Sequence, residues 1–282
     1  MAEGSFARRI EDPSFRAAVA ALQSGDLAAL TALIDREPRL LRERIRVREE
    51  NGRDGFSGYF RDPKLFWFVA NNPILMDPMP ATIGTLAAAL IERGVDRTDL
   101  DYTLGLVMSG SAAREAGLQT PLVRQLLAAG AVASREAIVS TAAHRETGIL
   151  RVLLDDGFPE TLEIASALGD VERARAWLAT ADADAVQVAF ALAVINRHVD
   201  IARLAIDAGA PINAYLAVHA HSTALHQAAE NDDGAMITLL RERGADETLP
   251  DTLFGGTPLG WAIHSERPAA RAMLERPMPR AR

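Results

Sequence analysis

The sequence of 282 residues contains no cysteine, few aromatic residues and no long hydrophobic run. Without cysteine, the chain forms no disulfide and offers no thiolate ligand to a metal. No stretch approaches the ~18 uninterrupted apolar residues of a membrane-spanning helix, so we expect no membrane partner. Aromatic residues make up 5% of the chain and hydrophobic residues 49%. This composition favours a core of small aliphatic side chains between closely packed helices.

The sequence also lacks an excess of positive charge. Its 30 Lys and Arg side chains are outnumbered by 38 Asp and Glu side chains, which gives a net charge of −8. A nucleic-acid-binding surface needs basic residues to displace counterions from phosphates, so we expect no nucleic-acid partner. Residues 1–11 hold no apolar run ahead of their charges, which predicts no secretory signal. Together with the missing cysteine, this favours a cytoplasmic location.

A pattern near the C-terminus occurs twice. Residues 223–229 read Thr-Ala-Leu-His-Gln-Ala-Ala and residues 257–262 read Thr-Pro-Leu-Gly-Trp-Ala, with starts 34 residues apart. The pattern resembles the ankyrin repeat, whose period is about 33 residues and whose opening is Thr-Pro-Leu-His-x-Ala. The resemblance implies an all-α solenoid of helix-turn-helix units with extended loops between them. Such scaffolds bind partners on a preformed concave surface.

Followed towards the N-terminus, the resemblance predicts about eight units in a single domain of residues 1–282. The repeats are clearest over residues 186–282 and degenerate over residues 14–185, and the terminal units are expected to be caps. The units are predicted to begin near Phe15, Phe66, Leu104, Ile138, Leu162, Val188, Thr223 and Thr257. In this family a glycine in the left-handed conformation often ends the second helix. The candidates are Gly94, Gly130, Gly157, Gly209 and Gly244.

Three segments interrupt the period: residues 49–63, 71–85 and 109–121. The first holds three glycines and the pair Tyr59 and Phe60. It is interpreted either as an enlarged loop whose aromatic side chains fold back onto the first helices, or as a flap over the concave groove. Insertions in repeat proteins map to loops and often lie on the binding face.

The resemblance also assigns residues to the groove. In each first helix, the residue before the two small inward residues and the two residues after them are expected to face the partner. Phe68 and Trp261 are the expected aromatic anchors, and His144 and Arg145 are expected to meet an acidic group. The other predicted contacts on helices are Asn71, Asn72, Gln227, Glu230 and His264. This assignment also placed Leu106, Ser109, Thr141, Leu192, Ile195, Asn196, Asn231 and Ser265 on the groove.

The histidines divide into two groups. His226 occupies the His of the repeat opening, so the resemblance implies a structural hydrogen bond between adjacent loops, and His198 at an inter-helix turn is expected to be structural too. On an extended strand, His219 and His221 place both rings on one side. No further ligand can be identified by spacing, so we expect no metal, and His219, His221 and Tyr215 are predicted to be contact residues at a loop tip.

The sequence contains no Gly-rich phosphate loop, no nucleophile elbow and no His-Glu-x-x-His motif. We therefore expect no cofactor and no catalytic residues, although enzymatic activity stays open. The leading hypothesis is a protein-protein interaction module, regulatory or inhibitory, whose partner has a basic or apolar surface because the chain is acidic overall. The alternative is a small-molecule-binding protein or enzyme with a pocket closed by the 49–63, 71–85 and 109–121 loops.

Overall fold

The computed structural model describes residues 9–47, 62–71 and 78–276. Within these residues the chain is all-helical, with no strand and only isolated bridging residue pairs. The chain divides into two compact units, Met1–Ala137 and Ile138–Arg282. Two compact units are compatible with one continuous domain, so the single-domain expectation stays a prediction. No helix in the described part of the chain is long and apolar enough to cross a membrane.

The first unit contains six helices in its described residues. They are α1 (Pro13–Ser24), α2 (Leu27–Arg36), α3 (Ile83–Glu92), α4 (Arg97–Ser109), α5 (Ser111–Glu115) and α6 (Gln119–Ala128), with short 3-10 segments at Pro38–Leu41 and Leu65–Ala70. The 3-10 segment Leu65–Ala70 stands where a first helix was predicted. It ends at Asn71, which has a left-handed backbone with φ of 43°, a conformation that asparagine tolerates better than most residues.

A buried ion pair joins this 3-10 segment to α4. Lys64 Nζ lies 2.7 Å from Asp99 Oδ2, and the indole N–H of Trp67 donates to Asp99 Oδ1 at 3.1 Å. The Asp99 side chain is almost fully buried, so its charge depends on these two partners.

The second unit consists of paired helices in two layers. Its helices are α7 (Arg135–Ala143), which begins at the boundary, then α8 (Thr147–Asp155), α9 (Leu162–Leu168), α10 (Val171–Leu178), α11 (Ala183–Ile195), α12 (Val199–Asp207), α13 (Ala224–Glu230), α14 (Gly234–Glu242), α15 (Pro258–His264) and α16 (Pro268–Leu274). The first helices α9, α11, α13 and α15 contact one another in chain order, and so do the second helices α10, α12, α14 and α16. Fully buried alanines, such as Ala189, Ala193, Ala228 and Ala229, fill the contacts between the first helices. Small side chains there let the helices approach closely.

The turn between the two helices of a pair recurs with the same backbone geometry. The first or second residue after the first helix takes a left-handed conformation, at Gly25, Arg145, Gly169, Arg197, Asp232 and Glu266. The next residue donates its N–H to the carbonyl five positions back, as in Asp233 to Ala228 and His198 to Ala193. This is a helix-ending motif that satisfies otherwise unpaired carbonyls. It supplies a structural register for the repeat.

That register corrects the fourth unit. Glu146 donates its N–H to the carbonyl of Thr141, as Asp233 does to that of Ala228. Thr141 is therefore equivalent to the inward Ala228, and it is fully buried. The prediction that Thr141 faces the groove is wrong by one residue. The sequence favours Ala142 and Ala143 as the inward pair, whereas the structure has Thr141 and Ala142 there.

The other predicted landmarks fit the structure. The eight predicted starts each lie within a first helical segment or at its N-cap. The five glycines predicted to end second helices all have positive φ: Gly94, Gly130, Gly157, Gly209 and Gly244. Of the three interruptions, the third contains the short α5. Most of residues 49–63 and residues 72–77 of the second interruption lie outside the described residues.

Candidate interaction site

The second unit brings together most of the predicted contact residues that the structure describes. His144 and Arg145 follow α7, Gln227 and Glu230 lie on α13, and Trp261 lies on α15. His219, His221 and Tyr215 lie in the loop before α13. His264 is in the second unit too, exposed at the end of α15, whereas Phe68 and Asn71 are buried in the first unit. Tyr59, Phe60 and Asn72 lie outside the described residues.

Asp251 organises the loop before α15. One carboxylate oxygen accepts the backbone N–H groups of Leu253 (2.9 Å) and Phe254 (2.7 Å). The other accepts the N–H of Gly256 (2.8 Å) and the indole N–H of Trp261 (3.0 Å). These bonds, that from Trp261 foremost, hold the pKa of Asp251 far below its ordinary value against the opposing effect of burial. The loop is thus fixed by a single charged side chain.

This loop, residues 251–256, presents two large apolar side chains to solvent. Leu253 is 64% exposed and Phe254 is 86% exposed. Exposed aromatic side chains are costly to keep in water, and a fixed backbone prevents them from collapsing onto the surface. We call residues 251–256 the Leu-Phe loop. No contact was predicted in this loop from the sequence, although an apolar pair between Asp251 and a Gly-Gly dipeptide is typical of an exposed turn.

His226 connects the Leu-Phe loop to the preceding loop. Its Nδ1 accepts the backbone N–H of Thr223 at 3.2 Å and lies 2.8 Å from the Thr223 hydroxyl. The proton is therefore on Nε2, which donates to the carbonyl of Gly256 at 2.9 Å. His226 is fully buried. The expected structural role of His226 between adjacent loops is confirmed.

Further bonds hold the two loops side by side. The hydroxyl of Tyr215 donates to the carbonyl of Pro250 at 2.9 Å, and the N–H of Thr252 donates to the carbonyl of His221 at 2.9 Å. His198 has the expected structural role as well, since its Nε2 lies 3.0 Å from the carbonyl of Ala167 in the preceding pair. The two loops therefore form one continuous edge.

Three rings form a row along this edge. The ring centroids of His219 and His221 are 6.1 Å apart, and those of His221 and Trp261 are 5.8 Å apart, each pair inclined by 30°. Both histidine rings thus lie on one side, but the predicted extended strand is wrong: His219 has a left-handed φ of 58° and its carbonyl accepts the N–H of Ser222, so a turn brings the rings together. In the described part of the chain no group of three or more His, Asp or Glu is arranged to hold a metal ion. We call His219, His221 and Trp261 the aromatic row.

The charge of Arg145 affects the pKa of His219 in the aromatic row. The pKa of His219 is lowered, first by burial and further by the nearby charges of His144, His221 and Arg145, while a hydrogen bond with Gln227 raises it. The Arg145 guanidinium donates to the side-chain oxygen of Asn231. This bond joins the turn after α7 to the C-terminal end of α13.

The middle of the predicted groove is less accessible than the assignment implied. Leu192 and Ile195 on α11 and Gln227 on α13 are all buried. Gln227 donates to the Ser222 hydroxyl at 2.9 Å, and so its amide is engaged within the unit. The accessible part of this face is the edge, where His144 and Arg145 are exposed and Trp261 is half-buried.

The sequence matches no protein-family model and no curated protein. The small-molecule alternative depends on loops at 49–63, 71–85 and 109–121. Large parts of the first two lie outside the described residues, and the third is largely helical, with α5 and the start of α6. It therefore stays a prediction.

Proposed function

We propose that the protein is an ankyrin-repeat interaction module that binds a protein partner at the edge of its second unit. The repeat assignment is supported by the common turn geometry and by the Thr223–His226 bonds, which match the role of these residues in the family opening. The interacting edge consists of the Leu-Phe loop and the aromatic row.

The observation that carries the proposal is the rigid exposure of Leu253 and Phe254. Fully burying a side chain of this kind contributes about 1.5–3 kcal/mol, so both together supply about 3–6 kcal/mol in a partner's apolar pocket. Because Asp251 already fixes the backbone, little conformational entropy is lost on binding. Trp261, held by the same carboxylate, adds an aromatic side chain of the type that dominates interface energies.

The partner expected from this edge differs from the one expected from net charge alone. An acidic chain favours a basic partner surface at long range. The local chemistry of the edge is apolar and aromatic, so an apolar pocket on the partner is the primary complement of the Leu-Phe loop.

The proposal is tested by quantitative capture of partners from native cell lysate with the full chain as bait. The double variant Leu253→Ser, Phe254→Ser should lose the captured protein, with affinity lower by at least about a hundredfold if ~3 kcal/mol is removed. Trp177→Ser is the matched control, since Trp177 is a 46% exposed aromatic residue on α10. Equal capture by the double variant and the control would reject the loop as the docking element.

A further inference from the structure

Arg145 is an arginine whose side chain is fixed at one edge. It occupies the left-handed turn position after α7, with φ of 60°. Its guanidinium donates to the Asn231 side-chain oxygen, and the Asn231 amide nitrogen donates to the carbonyls of Val194 and Ile195, each at 3.2 Å. A guanidinium carries five N–H donors. Among the described residues, Asn231 is the one acceptor that the Arg145 side chain contacts.

The charge of Arg145 is poorly compensated by its surroundings. Its pKa is lowered chiefly by burial and also by the positive charges of Arg197 and Arg267, whereas Glu230 acts in the opposite direction. Arginine stays protonated in proteins, and Arg145 is exposed, so its charge is accessible to an anion on a partner.

Glu230 is not free to neutralise Arg145. One of its carboxylate oxygens accepts the Ser265 hydroxyl at 2.6 Å, and the other accepts Arg267 Nη2 at 3.1 Å. In addition, Arg267 Nε is buried and has no hydrogen-bond partner. Asp233 nearby is engaged by Arg197 at 3.6 Å and by the backbone N–H of Met236. Both of these carboxylates therefore already have partners.

Two histidines complete the surroundings of Arg145. His144 precedes it and is exposed, with Nδ1 2.8 Å from the carbonyl of Ser140. His219, from the aromatic row, is half-buried and senses the charge of both His144 and Arg145. With Nδ1 bonded to the Ser140 carbonyl, a neutral His144 has no proton on Nε2, so the donors that this turn offers to an anion are those of the Arg145 guanidinium.

We propose that Arg145 forms a binding site for a carboxylate on an acidic segment of the protein partner. A carboxylate matches the two parallel donors of a guanidinium. A phosphate group carries nearly two negative charges, which a single arginine in a chain of net charge −8 compensates less well. The inference deepens the proposed function, because it places an acidic residue of the partner beside the surface that holds the Leu-Phe loop.

The test uses the full chain, labelled with ¹⁵N, and a blocked tetraglutamate peptide as the probe at low ionic strength. The side-chain amide resonance of Asn231 reports on the site and is present in every variant below. It should shift to saturation with tetraglutamate and stay in place with tetraglutamine. The dissociation constant should weaken by at least about tenfold in Arg145→Gln, which corresponds to ~1.4 kcal/mol.

The matched control is Arg151→Gln, since Arg151 is an exposed arginine on α8 and its loss changes the net charge equally. Its affinity for tetraglutamate should equal that of the wild type. Arg145→Lys keeps the charge but not the paired donors, so it should weaken binding by a smaller factor, and it replaces Arg145→Gln if that variant fails to fold.

Two results would overturn the proposal. One is the absence of a specific response to tetraglutamate, seen either as an unchanged Asn231 resonance or as equal affinity of wild type and Arg145→Gln for the peptide. The other is tighter binding of inorganic phosphate than of tetraglutamate at equal ionic strength, which would assign the site to a free anion. The double variant Leu253→Ser, Phe254→Ser should bind tetraglutamate normally. A failure of the carboxylate site is therefore distinguishable from a failure of the Leu-Phe loop.

Discussion

Replacing His226 by alanine removes one of the connections between the last two loops. The substitution leaves the Thr223 N–H without its acceptor, and it removes one of the two donors to the Gly256 carbonyl, which also accepts the Asp251 N–H at 2.8 Å. Each buried polar group left without a partner costs about 1–3 kcal/mol. The ring also packs edge-on against Trp261, with centroids 5.1 Å apart. We therefore expect His226→Ala to lower the free energy of unfolding by about 3 kcal/mol.

Urea denaturation followed by far-ultraviolet circular dichroism measures this loss. His264→Ala is the matched control, because His264 is exposed at the end of α15 and its removal should change stability by no more than about 0.5 kcal/mol. If His226→Ala cost as little as His264→Ala, the loop connection assigned to His226 would be refuted.

The same histidine gives a pH dependence of stability. The pKa of His226 is lowered mainly by burial, although the Gly256 carbonyl and Asp251 raise it. The unfolded chain then binds a proton near the ordinary value of about 6.5, where the native protein does not. The stability contribution is present above pH ~6.5 and is lost as the pH falls through the lower native pKa. His219, whose pKa is also lowered, acts in the same direction, so His226→Ala should make the decline shallower without abolishing it.

Three further predictions concern the framework. Gly169→Ala should lower stability by at least about 1–2 kcal/mol, because Gly169 has φ of 85° and an added Cβ would lie 2.7 Å from the His198 ring. The control Gly148→Ala in α8 meets nothing within 4 Å and should raise stability by ~0.5–1 kcal/mol. Thermal denaturation should therefore show melting temperatures shifted in opposite directions, and shifts of the same sign would contradict the assignment. Lys64→Met should lower the free energy of unfolding by about 3–5 kcal/mol, because it leaves Asp99 buried without its cation. Arg97→Met breaks an exposed pair and should cost less than ~1 kcal/mol. Similar urea midpoints for the two variants would argue against the buried pair. Amide hydrogens over residues 162–185 should exchange earlier than those over residues 223–244, since the short pair α9 and α10 has a polar Thr-Ala-Asp ending in place of Gly-Ala; uniform protection would refute this.

The helical framework was predictable because its signals are local. A glycine ending a second helix, or a threonine three residues before a histidine, specifies backbone geometry within a few residues. Gly209, Gly244 and Thr223 therefore fit their predicted conformations or caps. The prediction for the fourth unit was wrong at Thr141, because threonine is small enough to occupy the inward position that alanine holds elsewhere.

The site was less predictable because it depends on contacts between distant residues. Arg145 and Asn231 are 86 positions apart, and no spacing rule connects them. The burial of Leu192 and Ile195 depends on tertiary packing, which helical periodicity alone does not reveal. The exposure of Phe254 depends on the side chain of Asp251 holding its loop, so the sequence supplied the residues without their arrangement.

Site-specific photo-crosslinking shows whether the Leu-Phe loop contacts a protein partner. A photoreactive benzoylphenylalanine at position 254, in the full chain, should give one discrete crosslinked protein from native cell lysate. The same group at position 177, another exposed aromatic position, should not give that product. The account is contradicted if position 254 yields no discrete product, or if both positions yield the same one.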